Sequence, residues 1–247
     1  MNLTGNTILI TGGGSGIGQS LAEEFHKRGN VVIIAGRRQG ALDAATKANP
    51  GMQSIVLDTA DAESIRAGAA KLIAEFPSLN AVINNAGIMK PEDLKRGDTA
   101  IAEATIATNL LGPIRLTAAL LPHLLKQPSA TVLTVSSGLA FVPMASNPTY
   151  CATKAAIHSY SQSLRYQVKD TSLRVVEIIP PWVATELQGP KPSDPRAMPL
   201  EAFIAETMEL LGTDADEITV KNVLPLRNAA KGDERAFFQR FNDSLPH

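Results

Sequence analysis

Cysteine is almost missing from this sequence: Cys151 is the only one in 247 residues. An intrachain disulfide is thereby excluded, as is any metal cluster built from several thiolates, and a reducing compartment is the better match. An excess of one charge is missing too. Lys and Arg number 23 against 24 acidic residues, for a formal net charge of −1, so there is no general basic field for nucleic acid. The four histidines, at positions 26, 123, 158 and 247, lack metal-ligand spacing, and no metal site is expected. No apolar run approaches the roughly eighteen residues of a membrane helix. The opening MNLTGNTILI has no basic leader followed by a cleavage region. The expectation is a cytoplasmic protein without nucleic-acid or membrane partners.

What is present is enough apolar material for one large core, with 44% hydrophobic and 19% charged residues. Strand and helix patterns alternate along the chain. Strands are expected at 6–11, 31–35, 53–57, 81–84, 131–135 and 173–179, and helices following the Gly12–Gly18 turn through about 28 and at 39–47, 63–76, 99–125, 150–168 and 200–211, with an irregularity near Gly112-Pro113. Nearly continuous β-branched runs such as Val31 to Ala35 belong in a parallel strand covered on both faces. The alternation therefore predicts an α/β, doubly wound, mainly parallel sheet of six or seven strands flanked by helices.

Chemistry concentrates between Thr131 and Val168. A strand runs into Ser137, and the following helix carries Tyr150 and Lys154 four residues apart, one above the other on one face. A phenol of pKa about 10 is a poor acid–base group at neutral pH, and a cation beside it favours the phenolate. Ser137 could supply a hydroxyl to a substrate oxygen. By itself the Tyr–Lys spacing is unspecific. A second motif raises its weight: the first strand enters Gly12-Gly13-Gly14-Ser15-Gly16-Ile17-Gly18 and opens a helix, the context in which a pyrophosphate rests on helix-terminal N–H groups. After the second strand comes Gly36-Arg37-Arg38, with no acid to hold a ribose 2′-hydroxyl and two guanidinium groups for a 2′-phosphate, Arg37 being the stronger candidate. NADP(H) is favoured, with NAD(H) as the alternative.

Together these residues resemble the short-chain dehydrogenase/reductase family. The resemblance rests on TGGGSGIG from Thr11 to Gly18, Asp58, NNAG from Asn84 to Gly87, Asn109, Ser137 and the Tyr150–Lys154 motif. PHLLKQPSATVLTVSSGLAFVP, YCATKAAIHSYSQSLRYQVKDTS and PPWVATEL are similar to the DltE-type oxidoreductases of bacteria. The resemblance implies a Rossmann-type three-layer fold over the single domain 1–247. It implies hydride transfer between the nicotinamide cofactor and a small carbonyl or secondary alcohol, and a homodimer in preference to a homotetramer. By the same resemblance Tyr150 is the proton donor in reduction, Lys154 lowers its pKa and binds the nicotinamide ribose, Ser137 holds the reacting oxygen, and Asn109 supports a water-linked path to Lys154. The cofactor would be lined by Gly12, Gly14, Ser15, Gly16, Ile17, Gly18, Arg37, Arg38, Asp58, Asn85, Ala86, Gly87, Pro180, Val183 and Thr185. Three alternatives stay open: a non-catalytic NADP(H)-binding regulatory or interaction protein, an epimerase and a dehydratase.

The resemblance has departures. Pro181 stands where the family usually has glycine, so that corner should be stiffer. The usual seventh strand with its Gly-rich turn has no clear counterpart, leaving 213–247 atypical. Residues 186–212, with a proline-rich first part, read as a substrate lid or a plain connection. Phe237, Phe238 and Phe241 suggest a terminal amphipathic helix. Cys151 and His158 read as helix-packing residues, and Met144 and Trp182 as packing residues worth testing against substrate.

Overall fold

The computed structural model describes residues 1–189, 194–229, 240, 243 and 244. In chain order it has β1 (Thr7–Thr11), α1 (Gly16–Lys27), β2 (Val31–Gly36), α2 (Gln39–Ala48), β3 (Gln53–Val56), α3 (Ala62–Glu75), β4 (Leu79–Asn84), α4 (Ala100–Ile106) and α5 (Gly112–Leu124). Then follow β5 (Ala130–Val135), α6 (Pro148–Gln167), β6 (Leu173–Ile178), α7 (Leu200–Leu211), β7 (Glu217–Ile218) and α8 (Leu224–Arg227). The strands form one sheet in the order β3-β2-β1-β4-β5-β6-β7, with parallel pairing throughout. The usual seventh strand, for which the sequence offers no clear counterpart, is present but shortened to two residues, Glu217 and Ile218, against Glu177 and Ile178. The proposed Phe237–Phe241 helix lies outside the described residues.

Alternation of side chains along the strands divides the core into two layers. Ile8, Ile10, Ile34, Ile83, Leu133 and Ile178 pack on α1 and α7 residues such as Phe25 and Phe203. Leu9, Ile33, Val82, Val132 and Val175 pack on the other face with Leu72 of α3, Leu120 of α5 and Leu164 of α6. Because both faces are covered, the central strands are almost uniformly apolar, as the sequence pattern requires. The order of connections reverses between β1 and β4, which opens a crevice at the carboxyl ends of those strands, the place where such sheets take ligands.

Asn30 ties the amino-terminal segment to this frame. Its side chain is buried; Oδ1 accepts from the backbone N–H of Asn6 at 2.9 Å, and Nδ2 donates to the carbonyls of Leu3 and Phe25, both at 2.8 Å. Asn30→Ala should therefore cost roughly 1–3 kcal/mol, since the part-buried Asn6 N–H and Leu3 carbonyl lose this partner. Urea unfolding would show this as a lower midpoint at constant slope.

The helix expected over 99–125 is continuous but irregular, and the irregularity falls one turn earlier than Gly112-Pro113. Residues Ala107–Leu111 form a π turn. Pro113 has no N–H to give to the carbonyl of Asn109, so the helix widens ahead of it. Close packing against the loop after β3 also constrains this point: a Cβ on Gly112 would lie 2.5 Å from the carbonyl oxygen of Thr59. The helical stretch Ala100–Leu124 has the length and mean hydropathy, 1.3, of a membrane span. Here that apolarity serves the core, where Leu116, Leu120 and Leu124 are fully buried.

Candidate active site

The glycine turn after β1 is held before any ligand is considered. The N–H groups of Gly12 and Gly13 donate to the carbonyl of Ala35 on β2, at 2.7 and 3.2 Å. Thr11 Oγ1 accepts from the N–H groups of Asn85 and Ala86 at 3.0 and 3.1 Å, and Asn85 Nδ2 donates to the Thr11 carbonyl at 2.9 Å. The Asn84–Gly87 loop is thus stitched to the turn. A crevice results, lined by Gly12, Gly14, Ser15, Arg37, Arg38, Ala86 and Gly87 together with Leu57, Thr59, Ile88 and Thr108. Arg37 and Arg38 are exposed at its edge, and Nη2 of Arg38 reaches Ser15 Oγ at 3.4 Å. A dinucleotide fits this donor set: small residues along one wall, N–H groups at the opening of α1, and guanidinium groups without a carboxylate at the end of β2.

Not every sequence candidate lines that crevice. Asp58 lies just beyond β3, where Oδ1 accepts from the N–H of Ala60 at 2.9 Å and the side chain is used in its own turn. Pro180 gives its carbonyl to the N–H of Gly138 at 2.9 Å. Val183 is buried and bridges to Met198, and Thr185 faces Gly16. The described end of the proline-rich segment returns to this corner, with the Met198 N–H donating to Trp182 O at 2.8 Å and that of Ala184 to Met198 O at 2.9 Å. Trp182 carries Arg196 over its ring at 5.5 Å.

Asn109, Ser137, Tyr150 and Lys154 are all buried near the same carboxyl edge. The helix bearing Tyr150 begins with Pro148, which suits a first turn. Asn147 stands at the N-cap position but makes no side-chain bond to the helix. Glu92, from the segment after β4, does that work from a distance: its carboxylate accepts from the N–H of Thr149 at 3.0 Å and from the Thr149 hydroxyl at 2.8 Å. A negative charge at a helix N-terminus is stabilising. No local motif announces this cap, which is why sequence reasoning missed it.

Tyr150, Met89 and Cys151 form one cluster with Leu139 and Met144 packed against it; Met144 meets Cys151, whose Sγ accepts from the Met144 N–H at 3.2 Å, while Trp182 is engaged with Arg196. Cys151 is a buried thiol, as expected of a packing residue. Burial is also what dominates the phenol: it pushes Tyr150 well above the ordinary tyrosine range, and the hydrogen bond with Ser137 acts in the opposite direction. Lys154 is likewise brought down by burial, to about 8. Its Nζ donates to the carbonyl of Val135 at 2.7 Å and lies 5.6 Å from the Tyr150 ring centroid. Burial therefore outweighs the hydrogen bond in setting the direction for the phenol. Asn109 also has work the sequence did not suggest: Oδ1 accepts from the N–H of Ile88 and Nδ2 donates to its carbonyl, both at 2.8 Å. His158, read as packing, pairs through Nδ1 with Glu177 at 2.8 Å.

A model of the short chain dehydrogenase family matches residues 6–196. The chain belongs to the short chain dehydrogenase family. It is 40% identical to "Uncharacterized oxidoreductase DltE" of Bacillus subtilis, over 98% of each chain. It is 35% identical to an NADP-dependent 3-hydroxy acid dehydrogenase of Schizosaccharomyces pombe, over 74% of each. Among solved structures, a short chain dehydrogenase from Burkholderia cenocepacia in complex with NADP superposes with a TM-score of 0.85 over 100% of both chains at 22% identity, a likeness of fold. Membership of this family makes the chain an oxidoreductase working through a nicotinamide cofactor.

Proposed function

We propose that this short chain dehydrogenase uses NADP(H) to interconvert a small carbonyl compound and a secondary alcohol, with Tyr150 as proton donor in reduction. The reading is supported by four buried polar residues, Asn109, Ser137, Tyr150 and Lys154, with Tyr150 hydrogen-bonded to Ser137 and the Lys154 ammonium 5.6 Å from its ring centroid. When bound, the cofactor supplies or accepts the hydride. Tyr150, whose proton is tightly held, gives it to the carbonyl oxygen in reduction, and Ser137 holds that oxygen by a hydrogen bond. Lys154 places a cation behind the phenol as negative charge develops on its oxygen, and Asn109 fixes the Ile88 backbone at the floor of the crevice. The apolar side chains of Met89, Leu139 and Met144 favour a substrate whose neighbourhood to the carbonyl is uncharged.

A panel of aldehydes, ketones and secondary alcohols, followed by NADPH absorbance, tests this reading. Absence of turnover across the panel would sink it. The direction of the pKa shifts also sets a pH dependence. Reduction keeps its donor through the neutral range and loses the Lys154 cation as pH rises through about 8, whereas alcohol oxidation must remove the Tyr150 proton and so gains with alkalinity.

Preference for NADP(H) is assigned to Arg37 and Arg38. Arg37→Asp removes a charge-assisted contact worth roughly 1.5–3 kcal/mol and puts a like charge against the 2′-phosphate. NADPH affinity should fall by about 100-fold or more, with little loss for NADH. An unchanged ratio of the two dissociation constants would remove Arg37 from this role. Two copies are proposed to pair through the helices carrying Asn109 and Tyr150, where Ile106 and Leu111 are exposed. Sedimentation at micromolar concentration would distinguish a dimer from a monomer.

A further inference from the structure

Tyr150, Lys154 and His158 follow one another at four-residue spacing along one face of α6. His158 is thus the next residue of the catalytic stripe, one turn behind Lys154. There its Nδ1 meets Oε2 of Glu177 at 2.8 Å. Glu177 is fully buried in β6, on the face turned to α6. Its register partner on β5 is Thr134, whose hydroxyl lies 2.7 Å from that of Ser161 on α6. Leu173 and Val175, which share this face of β6, belong to the apolar core layer. A carboxylate in such a place costs several kcal/mol unless an opposite charge answers it.

Charged groups surround Glu177 on β7, α8 and α6. On β7, Glu217 is in register with Glu177 and has the same sign; Arg227 of α8 holds both its oxygens, at 2.8 and 3.1 Å. Arg165 of α6 donates to the carbonyls of Val175 and Asp216, at 3.0 and 3.1 Å, and lies 3.6 Å from the Asp216 carboxylate. Ligand atoms of His158, Glu177 and Glu217 lie within 4.8 Å of one another, a spacing a metal ion could bridge. Arg227 already engages Glu217, however, and His158 already engages Glu177. Lys154 is the buried cation of α6, its ammonium drawn to the β5 backbone at Val135. Oε1 of Glu177 is buried without a hydrogen-bond partner, and a charge there would be felt through space by Arg227 and by Lys154 alike, with little water to screen it.

We propose that Glu177, held in place by His158, is the internal counter-charge of Lys154 and a positioning residue for the Tyr150–Lys154 pair. The inference rests on the reading of that pair as the acid–base machinery. Burial brings Lys154 down to about 8, and Glu177 is the group that opposes the fall. Without the carboxylate the ammonium would lose its proton earlier, and the phenol would lose the cation behind it.

The test needs no substrate. Protein labelled with [ε-13C]lysine is titrated by NMR, with the Lys154 signal assigned by its loss in Lys154→Met. The midpoint, near 8 in the unmodified chain, should fall by about one pH unit or more in Glu177→Gln. Glu177→Asp, which keeps the charge, should restore most of the difference. His158→Asn leaves the buried carboxylate without its donor and should move the midpoint in the same direction as Glu177→Gln. A midpoint that stays in place in folded Glu177→Gln, or in His158→Asn where the first variant does not fold, overturns the proposal. Failure to find any oxidoreductase activity would instead overturn the acid–base reading and leave this titration standing. With an active ketone, the alkaline limb of kcat should move with the NMR midpoint, whereas a residue of structural importance alone would lower the rate equally at every pH.

Discussion

Replacing Tyr150 by phenylalanine is expected to lower kcat for carbonyl reduction by ~10²–10⁴-fold, the range for loss of a positioned proton donor. The substitution is selective. The ring remains to fill its pocket among Met89, Cys151, Leu139 and Met144 and to lie 5.6 Å from the Lys154 ammonium; only the hydroxyl, with its hydrogen bond to Ser137, is gone. Stability should therefore change little. KM for the carbonyl compound should change far less than kcat, because an interaction made chiefly in the transition state is being removed. Steady-state kinetics with NADPH in excess, alongside a thermal melt, make the comparison. A variant that reduces its substrate within a few fold of the unmodified rate would show that some other group delivers the proton. The pH profile adds a second check, since the tyrosine hydroxyl is held protonated by burial and its removal should abolish the gain of alcohol oxidation with alkalinity.

Much of this frame was readable from residue order because the features that mark it are local. Continuous β-branched runs gave the parallel strands, the glycine turn lay directly between a strand and a helix, and four-residue spacing placed Lys154 over Tyr150. The misreadings share a different origin. Whether Tyr150 is pushed up or down depends on how completely the phenol and Lys154 are withdrawn from water, and that is decided by residues far apart in sequence such as Met89 and Met144. Glu92 caps a helix that starts more than fifty positions later, so no capping pattern at Asn147 could reveal it. His158 looked like a packing residue; only the placement of α6 against β6 brings it to Glu177. The seventh strand escaped notice because two residues are too few to show a period, and Pro113 misplaced the helix irregularity because its missing N–H is felt four residues earlier.

Gly18→Ala should be the most damaging single methyl group in the cofactor crevice. The added Cβ would stand 2.4 Å from the carbonyl oxygen of Gly12 and 2.4 Å from Nδ2 of Asn85, distances at which something must move. Neither neighbour moves freely. Gly12 has a φ of 68° and is anchored to Ala35 by a 2.7 Å hydrogen bond, while Asn85 is bound to Thr11 through both its side chain and its backbone. Relief of the clash therefore breaks the stitching between the turn and the Asn84–Gly87 loop, at an expected cost of roughly 2–4 kcal/mol from overpacking and lost hydrogen bonds. The same displacement turns the N–H groups of the turn away from where a pyrophosphate would lie, and NADPH affinity should drop by about 100-fold or more. Gly40→Ala is the matched control: it lies in α2 with nothing within 4 Å of the added Cβ, and there the methyl group should stabilise the helix by roughly 0.5–1 kcal/mol. Calorimetric titration with NADPH and urea unfolding of both variants separate a local effect at the turn from a general intolerance of alanine, and a Gly18→Ala protein that binds NADPH and unfolds like the unmodified chain would refute the rigid-turn account.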